Sequence, residues 1–281
     1  MSKKNNNNVH LCSFASPDLF LSKIRFIFQA KKTQFYKSIK VYGRADLTKQ
    51  TLRYIDLSLK EGGKGYGYWC WKPEIVLMHL LKIPNNSILQ YCDVGSILSI
   101  DGSKVMQNYI NLCEKYKFLA FQYKKPKKFI KKFIYPNAVE KKFTKKMLFD
   151  FFKIKKNDKI LNTPQYSAGS FFIKKNKKNI NFIKKWVKIS KNRKLIDNSL
   201  NTFSDKFVSP RNDQSIFSIL CKLNKIFALS VYEGLEPLLL KKKVIWNYKK
   251  NVPVQFRRKL LYLGFYKIKK KISNKIFYAR F

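Results

Sequence analysis

An acidic residue at the end of an apolar run is the first candidate for chemistry in this sequence. Ile88 to Cys92 follows the turn at 84–87, and Asp93 comes directly after it, with Gly95 two positions later. Open α/β sheets bind ligands beyond the carboxyl ends of their strands, so a carboxylate there faces a pocket and a glycine lets backbone approach the ligand. We predict that Asp93 binds a divalent cation, Mn²⁺ or Mg²⁺, together with substrate phosphates. The alternative is an ordinary acidic turn after a strand.

A block rich in glycine and aromatic residues precedes that strand, at residues 63–73 (GKGYGYWCWKP). Aromatic rings offer flat faces on which a base or a sugar can stack, and glycines admit close backbone contact. The block's lysine stands just before a predicted helix, whose N-terminus attracts phosphate. The alternative is an aromatic plug beneath the sheet. The candidate ligand-binding residues of the block are Gly67, Tyr68, Trp69, Trp71 and Lys72.

Strands that alternate with helices must position these residues. The predicted strands are 9–15, 38–42, 88–92, 118–123, 167–173 and 226–232. The predicted helices are 18–36, 73–82, 144–153, 176–190 and one that Asp213 caps, with Ile216, Ile219, Leu220 and Leu223 on its inward face. Pro73 stands at the favoured first position of its helix. The alternation predicts an α/β fold, a Rossmann-like mixed sheet flanked by helices.

The charge of the chain favours anionic partners. Sixty Lys and Arg against 16 Asp and Glu give a net charge of +44, which attracts phosphates, nucleic acid or an acidic membrane surface. The 45% hydrophobic and 16% aromatic content exclude disorder for most of the chain.

Cysteine usage and the lack of apolar segments indicate a location. The five cysteines are scattered without a CxxC pair, which predicts reduced thiols and a cytoplasmic protein. We see no signal peptide and no stretch of about 18 apolar residues.

The amino-acid composition of the chain changes beyond residue 240. Residues 241–281 interleave cations with aromatic and aliphatic side chains, so we divide the chain into a domain at 1–240 and a basic aromatic extension at 241–281. The extension is typical of a segment that binds an anionic membrane surface, here the inner face of the cytoplasmic membrane. A frayed basic terminus and a nucleic-acid-binding arm are the alternatives.

Four blocks together resemble a known family. In order they are GYGYWCWKP, YCDVG at 91–95, QYSAGSFFIKK at 165–175 and RNDQSIFSIL at 211–220. They are similar to bacterial nucleotide-sugar glycosyltransferases of the GT-A fold that serve capsule and lipopolysaccharide synthesis. The resemblance covers roughly residues 9–235 and implies a nucleotide-diphosphate sugar donor and a glycan or lipid-linked acceptor.

The resemblance also assigns roles to individual residues. Asp93 stands where such enzymes have the first acid of a metal-binding DxD motif, but Gly95 replaces the second acid. The block at Ser167, Ala168 and Gly169 looks like the strand that lines the donor-sugar pocket. Asp213 and Gln214 match a late DQ pair beside the transferred sugar, which implies Asp213 as the catalytic carboxylate. Many metal-dependent relatives add a late histidine ligand, whereas this sequence has only His10 and His79, both upstream.

Two other functions stay open on the sequence. A non-enzymatic nucleic-acid-binding protein would use the positive field and the aromatic block, although the predominance of Lys over Arg argues against specific base recognition. A catalytically inactive relic of a transferase would retain the fold alone. The sequence does not decide between inverting and retaining chemistry.

Overall fold

A computed structural model of the chain describes residues 8–128, 130–199, 201–233, 235–240, 243–245 and 251–256. The strands of these residues are β1 Val9–Phe14, β2 Ser38–Tyr42, β3 Ile88–Cys92, β4 Ile97–Leu98, β5 Phe118–Gln122, β6 Tyr166–Lys174, β7 Phe227–Ser230, β8 Leu238–Leu240, β9 Lys243–Ile245 and β10 Val254–Gln255. The helices are α1 Phe20–Thr33, α2 Lys49–Lys60, α3 Gly65–Tyr68, α4 Trp71–Lys82, α5 Ser103–Tyr116, α6 Glu140–Phe143, α7 Lys146–Phe151, α8 Lys177–Ser190, α9 Arg193–Ile196 and α10 Asn212–Leu223.

A six-stranded sheet with the order β2-β1-β3-β6-β5-β7 forms the centre of the single domain. β1 pairs in parallel with β2 and β3, and β5 pairs in parallel with β7. β6 runs antiparallel to both of its neighbours, β3 and β5. The start of β6 therefore lies at the edge where the other strands end. The predicted mixed sheet flanked by helices is confirmed.

Helices cover both faces of the sheet because its strands are buried on both sides. Tyr91 of β3 and Phe171 of β6 pack into one cluster with α4, α8 and α10. Cys92 and Phe172, their neighbours in sequence, point to the opposite cluster, with α1 and α5. This alternation follows the two-residue period of a strand, and it places Asp93 at the edge between the two clusters.

Several local predictions need correction. Asp213 does not cap α10, because it is the second residue of the helix and Arg211 precedes Asn212 at the cap position. Leu223 is the last residue of α10 and lies exposed instead of facing inward. α4 begins at Trp71, which makes Pro73 its third residue instead of its first.

Only part of the basic extension at 241–281 falls within the described residues. Val252 and Val254 are buried, and β10 pairs antiparallel with β4 next to the end of β3. The backbone N–H of Phe256 donates to the carbonyl of Leu235 at 2.8 Å. Residues 251–256 thus pack against the body of the domain.

Candidate active site

The carboxylate of Asp93 lies where β3 ends and β6 begins. Its backbone N–H donates to the carbonyl of Gly169 at 2.8 Å, which joins the two strand ends. The hydroxyl of Tyr91 donates to Asp93 Oδ1 at 2.6 Å. The Asp93 side chain is 23% exposed, so it is accessible from the carboxyl edge of the sheet. This is the position predicted for it from the sequence.

The ammonium group of Lys72 lies between two carboxylates. Lys72 is the second residue of α4, and its side chain is 4% exposed. Its Nζ lies 2.9 Å from Asp213 Oδ2 and 3.4 Å from Asp93 Oδ1, and it donates to the carbonyl of Ala168 at 3.3 Å. All four sequence blocks therefore meet at one buried ammonium group, that of Lys72.

Asp213 is a carboxylate under electrostatic strain. Its side chain is 5% exposed. Oδ2 forms an ion pair with Lys72 Nζ at 2.9 Å and has no other partner within the described parts of the chain. Burial raises the pKa of Asp213 from 3.8 to about 6; Lys72 opposes this shift and the charge of Asp93 adds to it. Asp213 is thus an ionised group near neutral pH that accepts a proton more readily than an ordinary aspartate.

Lys72 itself stays protonated. Burial lowers the pKa of a lysine, but the charges of Asp213 and Asp93 outweigh burial, so the net shift of the Lys72 pKa is upward. The site therefore contains a permanent positive charge that is fixed in position and shielded from water.

A buried network orients the side-chain amide of Gln214. Its Oε1 accepts from the backbone N–H of Ala168 at 3.4 Å, and its Nε2 donates to Gln165 Oε1 at 3.1 Å. Gln165 Nε2 donates in turn to Glu140 Oε2 at 3.0 Å. A carboxylate only accepts, so Glu140 fixes the orientation of both amides. Gln165 and Glu140 were not predicted as site residues, although Gln165 opens the QYSAGS block.

The small residues at the start of β6 make room for an aromatic ring beside Asp93. Ser167 and Ala168 are buried within the strand. A Cβ atom on Gly169 would lie 2.7 Å from a ring atom of Phe256 and 3.2 Å from Asp93 Oδ2. The glycine is therefore required for the approach of the Phe256 ring. The prediction from sequence missed Phe256, because it assigned that residue to the extension.

The aromatic block forms the support for α4. Tyr66, Tyr68 and Trp69 adopt positive φ values of 54°, 56° and 59°. A Cβ on Gly67 would lie 2.8 Å from the Ile55 side chain of α2, so close packing explains this glycine. The chain therefore makes a tight turn directly before Lys72.

The rings of the block are largely occupied by packing. Tyr68 and Trp71 are buried, and Trp69 is half-buried. Trp71 stacks on Phe14 with ring centroids 4.0 Å apart. These contacts match the structural alternative for Tyr68 and Trp71, and they fix the start of the helix that carries Lys72.

Arg25 of α1 holds the loop after Asp93. It donates to the carbonyl of Val94 at 2.7 Å and to the carbonyl of Ser96. Ser96 N–H also donates to the Asp93 carbonyl at 2.9 Å, so Gly95 lies within a tight turn. No local sequence signal marks Arg25, because the residues that it contacts lie about 70 positions away.

The residues around Asp93 fit a cation that is held mainly by a bound ligand. Across the described ranges, no three His, Cys, Asp or Glu side chains come together as a metal site. Oδ1 of Asp93 contacts Tyr91 and Lys72, whereas Oδ2 accepts no hydrogen bond from a described residue. Asp93 thus offers one carboxylate oxygen to a divalent cation, and the phosphates of a bound substrate would supply further ligands.

The histidines have other partners. His79 contacts Tyr42 through Nδ1 at 3.0 Å, and burial lowers its pKa to about 4. His10 Nδ1 contacts Ser38 Oγ at 2.7 Å. His79 is buried, so it packs within the core beside Tyr42.

The similarity of this chain to known proteins is structural and distant. No family model matches the chain, and no curated protein matches it. Among solved structures, the chain is similar to the apo form of mouse xyloside xylosyltransferase 1, with a TM-score of 0.46 and 7% sequence identity over 89% of this chain and 98% of that chain. In the described residues, no helix is long and apolar enough to cross a membrane.

Proposed function

We propose that the protein is a glycosyltransferase that moves a sugar from a nucleotide-diphosphate donor to a surface-glycan or lipid-linked acceptor. The observation that carries this proposal is the cluster of Lys72, Asp93 and Asp213, in which a buried ammonium is shared by two carboxylates at the carboxyl edge of the sheet. The four blocks that resemble nucleotide-sugar transferases contribute these residues and their immediate neighbours. Motifs far apart in sequence thus converge on one site.

The charges suit departure of a diphosphate. When the bond between the anomeric carbon and the phosphate oxygen breaks, the electron pair leaves with the diphosphate, and negative charge develops there. A fixed ammonium in a dry site stabilises such charge without reorganisation, which is the role we assign to Lys72. A divalent cation held by Asp93 and the donor phosphates would supply Lewis-acid stabilisation of the same charge.

Asp213 is the residue that we assign to the acceptor side. In an inverting reaction, the acceptor hydroxyl oxygen forms the new bond to the anomeric carbon, and its proton passes to Asp213. A carboxylate with a pKa of about 6 accepts that proton more readily than an ordinary aspartate does. In a retaining reaction, the same carboxylate stabilises the positive charge that develops on the sugar ring. Gln214, oriented by Gln165, lies next to it and is proposed to bind the donor sugar.

Thermal unfolding with candidate donors tests the proposal. The protein is heated with UDP-sugars or GDP-sugars, with and without Mn²⁺. A donor at a hundred times its dissociation constant stabilises the folded state by about 2.7 kcal/mol. Asp93→Asn should abolish the stabilisation, whereas the control Asp150→Asn, at an exposed pair with Lys146, should retain it.

Two outcomes would favour the other functions. Stabilisation by a donor without sugar transfer to any acceptor would indicate an inactive relic. Binding of DNA or RNA that falls log-linearly with salt and ignores Asp93→Asn would indicate a nucleic-acid-binding protein.

A further inference from the structure

The outer face of α1 is apolar, contrary to the usual pattern of a surface helix. Four large apolar side chains are exposed there: Phe20 at 61%, Leu21 at 54%, Ile24 at 52% and Phe28 at 67%. Phe20, Ile24 and Phe28 follow one another at intervals of four residues, so they lie along one side of the helix. The opposite side packs into the core through Phe26 and its neighbours. We call these four exposed residues the α1 apolar face.

The charged residues of α1 are all basic. The helix contains Lys23, Arg25, Lys31 and Lys32, and no acidic residue. Lys31 and Lys32 in the last turn are also exposed, and no other residue of the helix besides the apolar four is. An exposed helix face with Phe and Leu beside Lys matches a helix that lies in the interface of an anionic membrane.

We propose that the α1 apolar face docks the protein on an anionic lipid surface. A lipid bilayer offers acyl chains for the four apolar side chains and phosphates for Lys31 and Lys32. A second copy of the chain complements the lysines poorly, because each copy carries a net charge of +44. The sequence 257–281 contains no acidic residue, so it complements them poorly as well.

The same helix supports the candidate active site. Arg25 donates to the carbonyls of Val94 and Ser96, directly after Asp93. Docking through α1 would therefore anchor the helix that holds the loop after Asp93 at a membrane where a lipid-linked acceptor would be presented. That consequence rests on the proposed function, whereas lipid binding itself is measured without donor or acceptor.

Sedimentation with vesicles tests the proposal on the full chain. Vesicles of phosphatidylcholine alone are compared with vesicles that also contain phosphatidylglycerol. The wild-type protein should bind the anionic vesicles, and Phe20→Ser/Phe28→Ser should weaken binding by about tenfold for each ring. Lys31→Gln/Lys32→Gln should weaken it by about fivefold for each charge. The matched control is Phe151→Ser/Val208→Ser, which removes two comparably exposed apolar side chains outside α1 and should bind like wild type.

A spin label identifies what covers the face. The five native cysteines are all buried, so a spin-label reagent added to the Phe28→Cys variant should react at the new exposed thiol. The label should be mobile in buffer. When anionic vesicles are added, it should collide more often with an apolar relaxation agent that partitions into the bilayer.

Three results would overturn the proposal. Unchanged vesicle binding of Phe20→Ser/Phe28→Ser would assign lipid binding to another segment. A label already immobilised in buffer, with a dimer that Phe28→Ser converts to a monomer, would assign the face to a second copy. An immobilised label on a monomer would assign it to another part of this chain. Donor stabilisation is measured separately, so a failure of lipid docking leaves the proposed function intact.

Discussion

The strained carboxylate of Asp213 predicts that the site is maintained at the expense of stability. Its pKa is about 6 in the folded protein, against an ordinary value of 3.8. A raised carboxyl pKa means that the folded state binds the proton more tightly than the unfolded state. The contribution of Asp213 to the free energy of unfolding is therefore fully present below about pH 4 and is lost as pH rises through 6. The difference between the two pKa values corresponds to a loss of about 3 kcal/mol of that free energy.

Asp213→Asn removes this loss, because an amide resembles the protonated acid and needs no ionisation. Lys72 retains Asp93 as a partner in the variant. At about pH 7.5, the free energy of unfolding of Asp213→Asn should exceed that of the wild type by about 2–3 kcal/mol, and the two should converge near pH 4. Sugar transfer should be lost at the same time, as expected where an active site and stability conflict.

Urea unfolding at several pH values measures this effect. Asp150→Asn is the control, since Asp150 is exposed and should show no comparable gain. A variant Asp213→Asn that is less stable than wild type near pH 7.5 would refute the reasoning. Parallel pH profiles for the two proteins would refute it as well, because they would show that Asp213 is not strained.

Three further predictions concern neighbouring residues. Sugar transfer should fall as pH drops below about 6, and Lys72→Gln should move this limb to higher pH because it removes the charge that opposes the raised pKa; initial rates across pH test this, and an unmoved limb contradicts it. Gly169→Ala should lower kcat/KM by about tenfold, because its Cβ meets Phe256 and Asp93, and Gly169→Ala/Phe256→Ala should recover activity if that contact is the cause. Glu140→Gln should lower the free energy of unfolding by about 3–5 kcal/mol, because it leaves buried Lys222 without its ionic partner. Glu140→Gln/Lys222→Met should restore most of this loss. If urea unfolding gave the single and double variants the same stability, the ion pair would not be the cause.

Local patterns predicted the framework of the fold. The strands Ser38–Tyr42 and Ile88–Cys92 occur at the predicted bounds, because apolar runs between turn residues are strong signals. α5 was missed although Met106, Tyr109, Ile110 and Cys113 make a helical pattern of buried residues. α2 was harder to recognise, because two of its apolar side chains, Leu57 and Leu59, are exposed.

Contacts between distant segments limited the prediction of the site. The sequence placed Asp93 at the end of a strand, and the resemblance singled out Asp213. Neither showed that Lys72 would lie between them, since this depends on how α4 and α10 pack on the sheet. Phe256 and Arg25 reach the site from the two ends of the described chain. Such positions follow from tertiary packing and have no local sequence signal.

Sugar transfer by Asp93→Asn is the most direct test of the proposed active centre. The substitution keeps the size of the side chain but removes the charge next to Lys72 and the candidate cation. Transfer from the donor identified by thermal unfolding should fall by about 10²-fold or more, while the folded state is retained. Transfer at the wild-type rate would show that the chemistry takes place elsewhere in the protein.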